Sequence, residues 1–403
     1  MTSKLFASAV KSRLRFCLST LVIAAAGIFA MPDAKAQSID LPGGITLTPS
    51  MGVNLRYDDN IDNTVENEEE SWLTVTTPNL LLEADSGVSA YSLSYSLSRA
   101  DYLNADRDSY TDQELLVDAT WNFHSRHRVE MNVEMLDIQQ QPNNRAAVDL
   151  ASLILERERY IEKEYSTTYT FGAEGARGRV EVTVGHNERD FVEEDGGRDL
   201  KVAYASGLFS FNIAGETDLL VRIEAAELDY EQQPDESDFD SREVNYMVGA
   251  EREGEVLSVG VMAGVGARTF EDPQVEDFKR PRWEAVAAWR PLENTELIFT
   301  AERATEETRG FANVIDAKSA SVAWNHEWTG RISTEMSFRY TNADFEDSNV
   351  VENIRSGFAS VEYEFLDGVT LLAGVTVLNQ SATEPIFAED RTRVFFGFEA
   401  ALS

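Results

Sequence analysis

Apolar and polar residues alternating with a period of two, segments running 10 to 15 residues, and connections switching between tight turns and long acidic loops predict an all-β chain. The fold class they specify is a transmembrane antiparallel up-and-down β-barrel of about 18 strands. A period of two puts one set of side chains on each face of a strand. The segment length exceeds the ~5–6 residues usual in soluble strands and reaches the ~9–11 that a tilted strand needs to cross a bilayer. The alternation of connections gives each rim its own character, which a soluble sandwich has no reason to maintain.

The chain opens with a leader. Lys4, Lys11, Arg13 and Arg15 precede the apolar stretch 18–31, and Ala34-Lys35-Ala36 supplies small residues before Gln37. These parts mark 1–36 as a secretory signal peptide and leave 37–403 as one barrel domain bound for the outer membrane. Cys17, the one cysteine among 403 residues, lies in the leader, so the exported chain has no disulfide and no lipid-anchor thiol. The whole chain carries 35 Lys+Arg against 71 Asp+Glu. Without the leader's five basic and one acidic side chains, 30 basic and 70 acidic remain, a net charge of −40. That charge argues against a nucleic-acid partner. Aromatics at 10% and hydrophobic residues at 43% argue against disorder. Beyond the leader no apolar run approaches the ~20 residues of a spanning helix.

Eighteen segments follow, beginning near residues 45, 71, 89, 109, 128, 160, 179, 197, 217, 241, 255, 280, 294, 316, 331, 353, 369 and 389. The first places Ile45, Leu47, Met51, Val53, Leu55 and Tyr57 on an apolar face. The third sets Tyr91, Leu93, Tyr95 and Leu97 against a row of serines. In the fifth, Val129, Met131, Val133 and Met135 oppose Glu130, Asn132 and Glu134. Further on, Leu257, Val259, Val261, Ala263 and Val265 back onto Gly260, Met262, Gly264 and Gly266, and Ile332, Thr334, Met336, Phe338 and Tyr340 onto charged and Ser residues. The last segment (Val394, Phe396, Phe398, Ala400, Leu402) is expected to pair with the first, because closure removes the unpaired edges that hydrocarbon does not tolerate.

Turn chemistry stands at 85–87, 125–127, 175–178, 215–218, 252–254, 329–330 and 367–368. Between these lie acidic connections: seven acids and no base over 58–70, five acids over 231–240 and four over 271–277. The expected orientation has short turns and both termini on the periplasmic side and acidic loops outside. Tyr57, Trp72, Trp121, Phe123, Trp283, Trp289, Trp324 and Trp328 sit near segment ends, where outward-facing rings form interfacial girdles. No plug domain is expected ahead of the barrel, which argues against a TonB-dependent transporter.

The opening strand runs through Gly52-Val-Asn-Leu-Arg-Tyr57-Asp58-Asp59-Asn60-Ile61. With Tyr57, Asp58, Asp59 and Asn60 as its motif and one long acidic barrel behind it, the chain resembles the beta-barrel porin family often associated with polysaccharide synthesis and export loci. The resemblance implies an outer-membrane conduit or accessory for exopolysaccharide or capsule, working with a periplasmic polysaccharide export protein. The apolar final strand is similar to the signal read by the barrel assembly machinery, although Ser403 stands where that signal has an aromatic residue. Outer-membrane lipid and lipopolysaccharide are the surrounding partners.

The positions opposite the lipid face are candidate pore-lining residues: Arg56, Glu130, Glu134, Arg222, Glu224, Arg268, Arg331, Glu335, Arg339, Glu362 and Glu364. Facing Arg and Glu side chains would set a transverse field across a wet lumen, or else fill it with salt bridges. Phe358 and Phe395 are the main inward aromatics, too few for an aromatic slide for sugars. Residues 143–157 have helical spacing and are a candidate constriction folding into the bore, against the alternatives of a surface helix or an extended hairpin. No nucleophile motif, metal-ligand spacing or phosphate loop is present, so no enzyme, cofactor or metal site is expected. The dense acids at 58–70 lack an EF-hand framework and read as a solvated face. Among the four histidines, His186 with its neighbours Glu188 and Asp190 is the least weak catalytic candidate.

Overall fold

The structure, a computed structural model, describes residues 38–65, 67–140, 158–173, 175–192, 199–231, 239–306, 314–346 and 348–401. The signal peptide expected over 1–36 and the constriction expected over 143–157 lie outside the described residues. A short strand β1 (Ile39–Leu41) leads into β2 (Ile45–Asp58), β3 (Ser71–Asp85), β4 (Ser89–Tyr102), β5 (Tyr110–His124) and β6 (His127–Gln140). Then come β7 (Glu158–Phe171), β8 (Gly178–Phe191), β9 (Leu200–Ala214), β10 (Thr217–Tyr230), β11 (Ser241–Arg252) and β12 (Leu257–Phe270). The chain ends with β13 (Phe278–Leu292), β14 (Thr295–Glu306), β15 (Ile315–Thr329), β16 (Ile332–Phe345), β17 (Val351–Leu366), β18 (Val369–Ala382) and β19 (Glu389–Ala401). Every expected segment start falls within three residues of a strand start, and β1 alone is additional.

Each of β2 to β19 pairs antiparallel with its neighbour in sequence, and β19 returns to β2 from Arg393↔Asp58 to Ala401↔Ser50. The result is a closed 18-stranded antiparallel barrel, with β1 laid against the start of β2. Closure gives every strand two partners, which satisfies the backbone where no water reaches it. One rim carries short turns such as Ser86–Val88, where Gly87 takes φ +79° and its N–H donates to Asp85 Oδ1 at 2.5 Å. Only glycine adopts that backbone at no steric cost. The opposite rim carries the long connections.

Alternation resolves the two faces. On β10, Leu219, Val221 and Ile223 are exposed while Leu220, Arg222 and Glu224 are buried. On β8, Val180, Val182 and Val184 share the exposed face, as do Tyr246 and Val248 on β11. This exposed apolar surface is the lipid-contact face. Phe123, Trp72, Trp283, Trp289 and Trp328 project from it, the first 71% exposed. Trp324, His326 and Trp328 form a run of ring contacts at the short-turn end of β15.

Inside the barrel, apolar side chains gather near the long-loop rim. Ile61 and Ala105, from connections, pack on Leu73, Val75, Ala100 and Tyr102. Val350 and Phe387 pack in the same way on Ile315, Ala317, Ala343 and Phe345. A third cluster joins Leu200, Val202, Tyr204, Ala226, Leu228 and Tyr230. These contacts fold parts of the loops onto the inner wall and remove apolar area from water.

Candidate functional site

The lumen wall divides into a tied-down sector, an open acidic sector and a basic seam. In the first, Arg222 of β10 reaches Glu284 of β13 at 2.8 Å and lies 3.2 Å from Glu224. Arg282 lies 3.9 Å from Glu224 and 3.5 Å from Glu243, which accepts from Asn245 Nδ2 at 2.9 Å. Arg268, 1% exposed, donates to Ser241 Oγ at 2.9 Å and sits over the Phe270 ring. The even face of β12 is Gly260, Met262, Gly264 and Gly266, so little stands between β11 and β13 to stop long side chains from lying flat. Gly264 is obligatory there, since an added Cβ would stand 1.8 Å from the Tyr246 carbonyl oxygen. Arg222, Glu224 and Arg268 face inward as expected, yet they bond into the wall itself.

The open sector spans β16 to β19. Glu335, Glu362 and Glu364 point inward near the short-turn rim, joined by Glu399 of β19, a position that sequence reasoning omitted. Register places Glu362 beside Ser333 and Glu399 beside Thr370 and Gly52, so the carboxylates occupy β16, β17 and β19, with Thr370 of β18 between Glu364 and Glu399. Arg339 also faces inward, 3.3 Å from Glu302 and donating to Ser319 Oγ at 3.1 Å. On the opposite wall Glu130 accepts from Arg128 at 2.7 Å, and Glu134 is buried. Arg331 is a correction: it belongs to the tight turn before β16, 58% exposed and 4.0 Å from Asp367 in the next turn of that rim. The strand starts one residue later than its sequence pattern suggests, which leaves Arg331 outside the wall.

The basic seam is where the barrel closes. Asp58, buried at the end of β2, accepts from Arg391 Nε at 2.8 Å through Oδ1, and from Arg391 Nη2 and Arg393 Nε through Oδ2. Asp59 holds the next rung: its Oδ1 accepts from the Thr392 N–H at 2.6 Å, and its own N–H donates to the Thr392 carbonyl. Asn60, fully buried, donates to the Thr64 and Asp390 carbonyls while its Oδ1 accepts from the Thr64 N–H. Tyr57 turns outward, against Trp72, and donates to Glu70. The four motif residues therefore join first strand, last strand and first loop. The sequence shows the motif, but its partners lie more than 300 residues away.

The acids of 58–70 are dispersed. Asp58 and Asp59 serve the seam, Glu70 meets Tyr57, and Asp62 and Glu69 lie 3.5 and 3.3 Å from Arg107 in the next long connection. That connection is outside the membrane, and the hydrogen bond from Arg107 to Asp108, with the charges of Asp62 and Glu69, raises the guanidinium's pKa above its ordinary value. Among the described residues no three of His, Cys, Asp or Glu converge as metal ligands would. The His186 grouping shares one face of β8: His186, Glu188 and Asp190 all point outward, and the two carboxylates meet Lys163 at 3.7 and 3.4 Å. Inward aromatics include the expected stacked pair Phe358–Phe395, 6.2 Å between centroids, and also Tyr204, whose hydroxyl donates to Glu164 at 2.8 Å. Tyr204 lies over Gly185, and Phe395 over Gly374. Glycines facing an aromatic across a strand pair are the sequence signal for these rings, visible only once register is known.

The family described as putative beta-barrel porin 2 matches residues 40–402. No curated protein sequence matches the chain. Among solved structures, OccK2 (OpdF) of Pseudomonas aeruginosa in complex with glucuronate aligns with TM-score 0.51 and 10% identity, over 89% of this chain and 98% of that one. The FrpB iron transporter of Neisseria meningitidis (F5-1 variant) aligns with TM-score 0.51 and 11% identity, over 84% and 64%. The outer-membrane protein opdK of Pseudomonas aeruginosa aligns at 0.50 with 8% identity, over 88% and 99%. The chain spans 60% of the length of the ferric citrate transporter FecA. At such identities these similarities describe the fold.

Proposed function

The chain belongs to the putative beta-barrel porin 2 family, and from that premise we propose that it is a water-filled outer-membrane channel for small polar solutes, with a preference for cations. The observation that carries this reading is the open sector: Glu335, Glu362, Glu364 and Glu399 face the bore from β16, β17 and β19, with no ion pair of their own among the described residues. A band of fixed negative charge in a low-dielectric tube concentrates cations and repels anions. Eighteen strands enclose enough room for water alongside the side chains. The test is reconstitution into planar bilayers. Stepwise current with a reversal potential favouring K⁺ over Cl⁻ under a salt gradient supports the channel, and silent bilayers containing folded protein refute it.

The narrower reading, passage of an exopolysaccharide with a periplasmic export partner, draws on the family resemblance. Deleting the gene and quantifying surface polysaccharide tests it, with unchanged polymer as the refuting result. Export would use the signal peptide at 1–36, and assembly the barrel machinery acting on the final strand.

Lipopolysaccharide contact is supported by an outward-facing charged belt near the long-loop ends of the strands. Lys163 and Lys201 flank Glu188, 3.7 and 3.8 Å away, and Lys318 and Arg303 flank Asp316 at 3.6 and 2.6 Å. Arg159 pairs with Asp137 on the same face. Ammonium and guanidinium groups at that height meet phosphates of an anionic leaflet, and the carboxylates meet its bridging divalent ions.

A further inference from the structure

Arg56 is the expected lumen arginine whose charge no side chain of the wall pairs with among the described residues. It faces inward on β2, directly across from Leu73 of β3 and Phe395 of β19. Its Nε is buried with no acceptor, and no ion pair to it exists among the described residues. The nearest carboxylate on its own strand, Asp58, is already shared by Arg391 and Arg393. Three guanidinium groups thus stand around one carboxylate. Of the other acids near the seam, Glu389 lies 3.9 Å from Arg391, Asp59 accepts from the Thr392 N–H, and Asp62 is turned to Arg107. Arg56 as a whole is half-buried, and a guanidinium with a buried N–H that finds no acceptor in the wall is suited to an anion.

The surroundings suit a small organic solute. Phe395 continues into the stacked Phe358 ring, and Tyr102 lies beyond Leu73 in register with it. Guanidinium groups bind carboxylate and phosphate through two parallel N–H donors, a geometry that a lone ammonium lacks. The geometry points to an oxyanion subsite at Arg56, just inside the long-loop mouth, which takes the carboxylate or phosphate group of a small solute. In a barrel otherwise acidic, this subsite is a local reversal of sign that captures an anion ahead of the carboxylate band. The proposal rests on the channel reading for access from the lumen.

Equilibrium binding tests it without requiring current. The purified full chain, folded in detergent, is titrated calorimetrically with inorganic phosphate, with galacturonate and with galactose, each against wild type, Arg56→Gln and Arg56→Lys. Saturable one-to-one binding of phosphate, galacturonate or both is expected, with no galactose binding. Arg56→Gln is expected to weaken binding at least about tenfold, and Arg56→Lys by a smaller factor through loss of the bidentate contact. Phosphate alone identifies a phosphorylated solute, and galacturonate alone a carboxylate one. No binding by either anion, equal binding of galactose, or an unchanged affinity in Arg56→Gln overturns the subsite. If Arg56→Gln does not migrate as a folded barrel, Arg56→Lys decides, and an unchanged affinity there overturns it too. A barrel that binds but passes no current would leave this inference standing and remove the channel.

Discussion

Replacing Asp58 with Asn tests the closure of the barrel at one atom pair. In the folded state Asp58 offers both oxygens to Arg391, whose side chain is 4% exposed, and one of them also to Arg393. Asn keeps the shape and removes the charge, so two buried guanidinium groups lose the carboxylate they share, with Glu389 left 3.9 Å from Arg391. Removing one member of a buried pair while the other stays buried costs about 3–5 kcal/mol. The same loss does not follow from deleting both sides, because a buried ion pair and its apolar isostere are often equivalent. Asp58→Asn with Arg391→Met should therefore recover much of the stability lost by Asp58→Asn alone, a coupling of about 1–3 kcal/mol in a double-mutant cycle. The measurement is urea unfolding in lipid vesicles, followed by tryptophan emission and by the shift between folded and heated migration on gels. Trp72, in ring contact with Tyr57 and Phe396 across the seam, reports on this region. A loss below about 1 kcal/mol for Asp58→Asn, or additive effects in the cycle, would refute the clasp.

Neutralising Glu335 and Glu362 together with Gln should lower the K⁺ over Cl⁻ permeability ratio by roughly twofold or more while leaving the barrel folded; reversal potentials in asymmetric KCl read this. Val221→Arg places a cation on the lipid face of β10 and should cost about 2–4 kcal/mol in the same vesicle assay, depending on its depth. Gly264→Ala forces a Cβ against the Tyr246 carbonyl and should destabilise by about 1–3 kcal/mol, visible as a lower urea midpoint. Lys163→Ala with Lys201→Ala should reduce the lipopolysaccharide that copurifies with the barrel, measured by phosphate and sugar analysis; undiminished lipid would count against the charged belt.

The strand plan was legible because its causes are local. Period two, strand length and turn chemistry are written into neighbouring residues, and each strand lies within three residues of its expected place. Facing was legible for the same reason: Glu130, Arg222, Arg339 and Glu362 all turn inward as alternation requires. What those inward residues do was not legible, since it depends on register across several strands. Arg222 looks like a pore residue until Gly264 and Glu284 are known to stand opposite. The apolar inner clusters were missed because Leu73 and Val75 lie beside outward Trp72 and Thr74, blurring the alternation at the outer end of β3. The motif was recognised as a signature, whereas its clasp requires residues from both ends of the chain.

Charge on the outside of the barrel is distributed unequally between its two rims. At the short-turn rim the outward positions include the rings of Tyr91, Trp121, Phe123, Trp289, Trp324, Trp328, Tyr363 and Phe365. Such rings settle at the headgroup level of a phospholipid leaflet. At the long-loop rim the outward positions include, beside Tyr57 and Trp72, the charged Lys163, Glu188, Asp190, Lys201, Arg303, Asp316 and Lys318, joined in short ion-pair chains. Exposed pairs of that kind contribute little to folding in water, so stability alone does not account for collecting them on one rim. The proposed contact with a leaflet built from phosphates and bridging cations would account for it, because each charged group would find an opposite partner there. Register alone sets the order of the lumen: a solute entering from the long-loop side meets the Arg56, Arg391 and Arg393 seam first and the Glu335, Glu362 and Glu399 band afterwards. A zwitterion or an anion paired with a metal cation meets a favourable charge at both stations, whereas a bare anion is held at the first and repelled at the second.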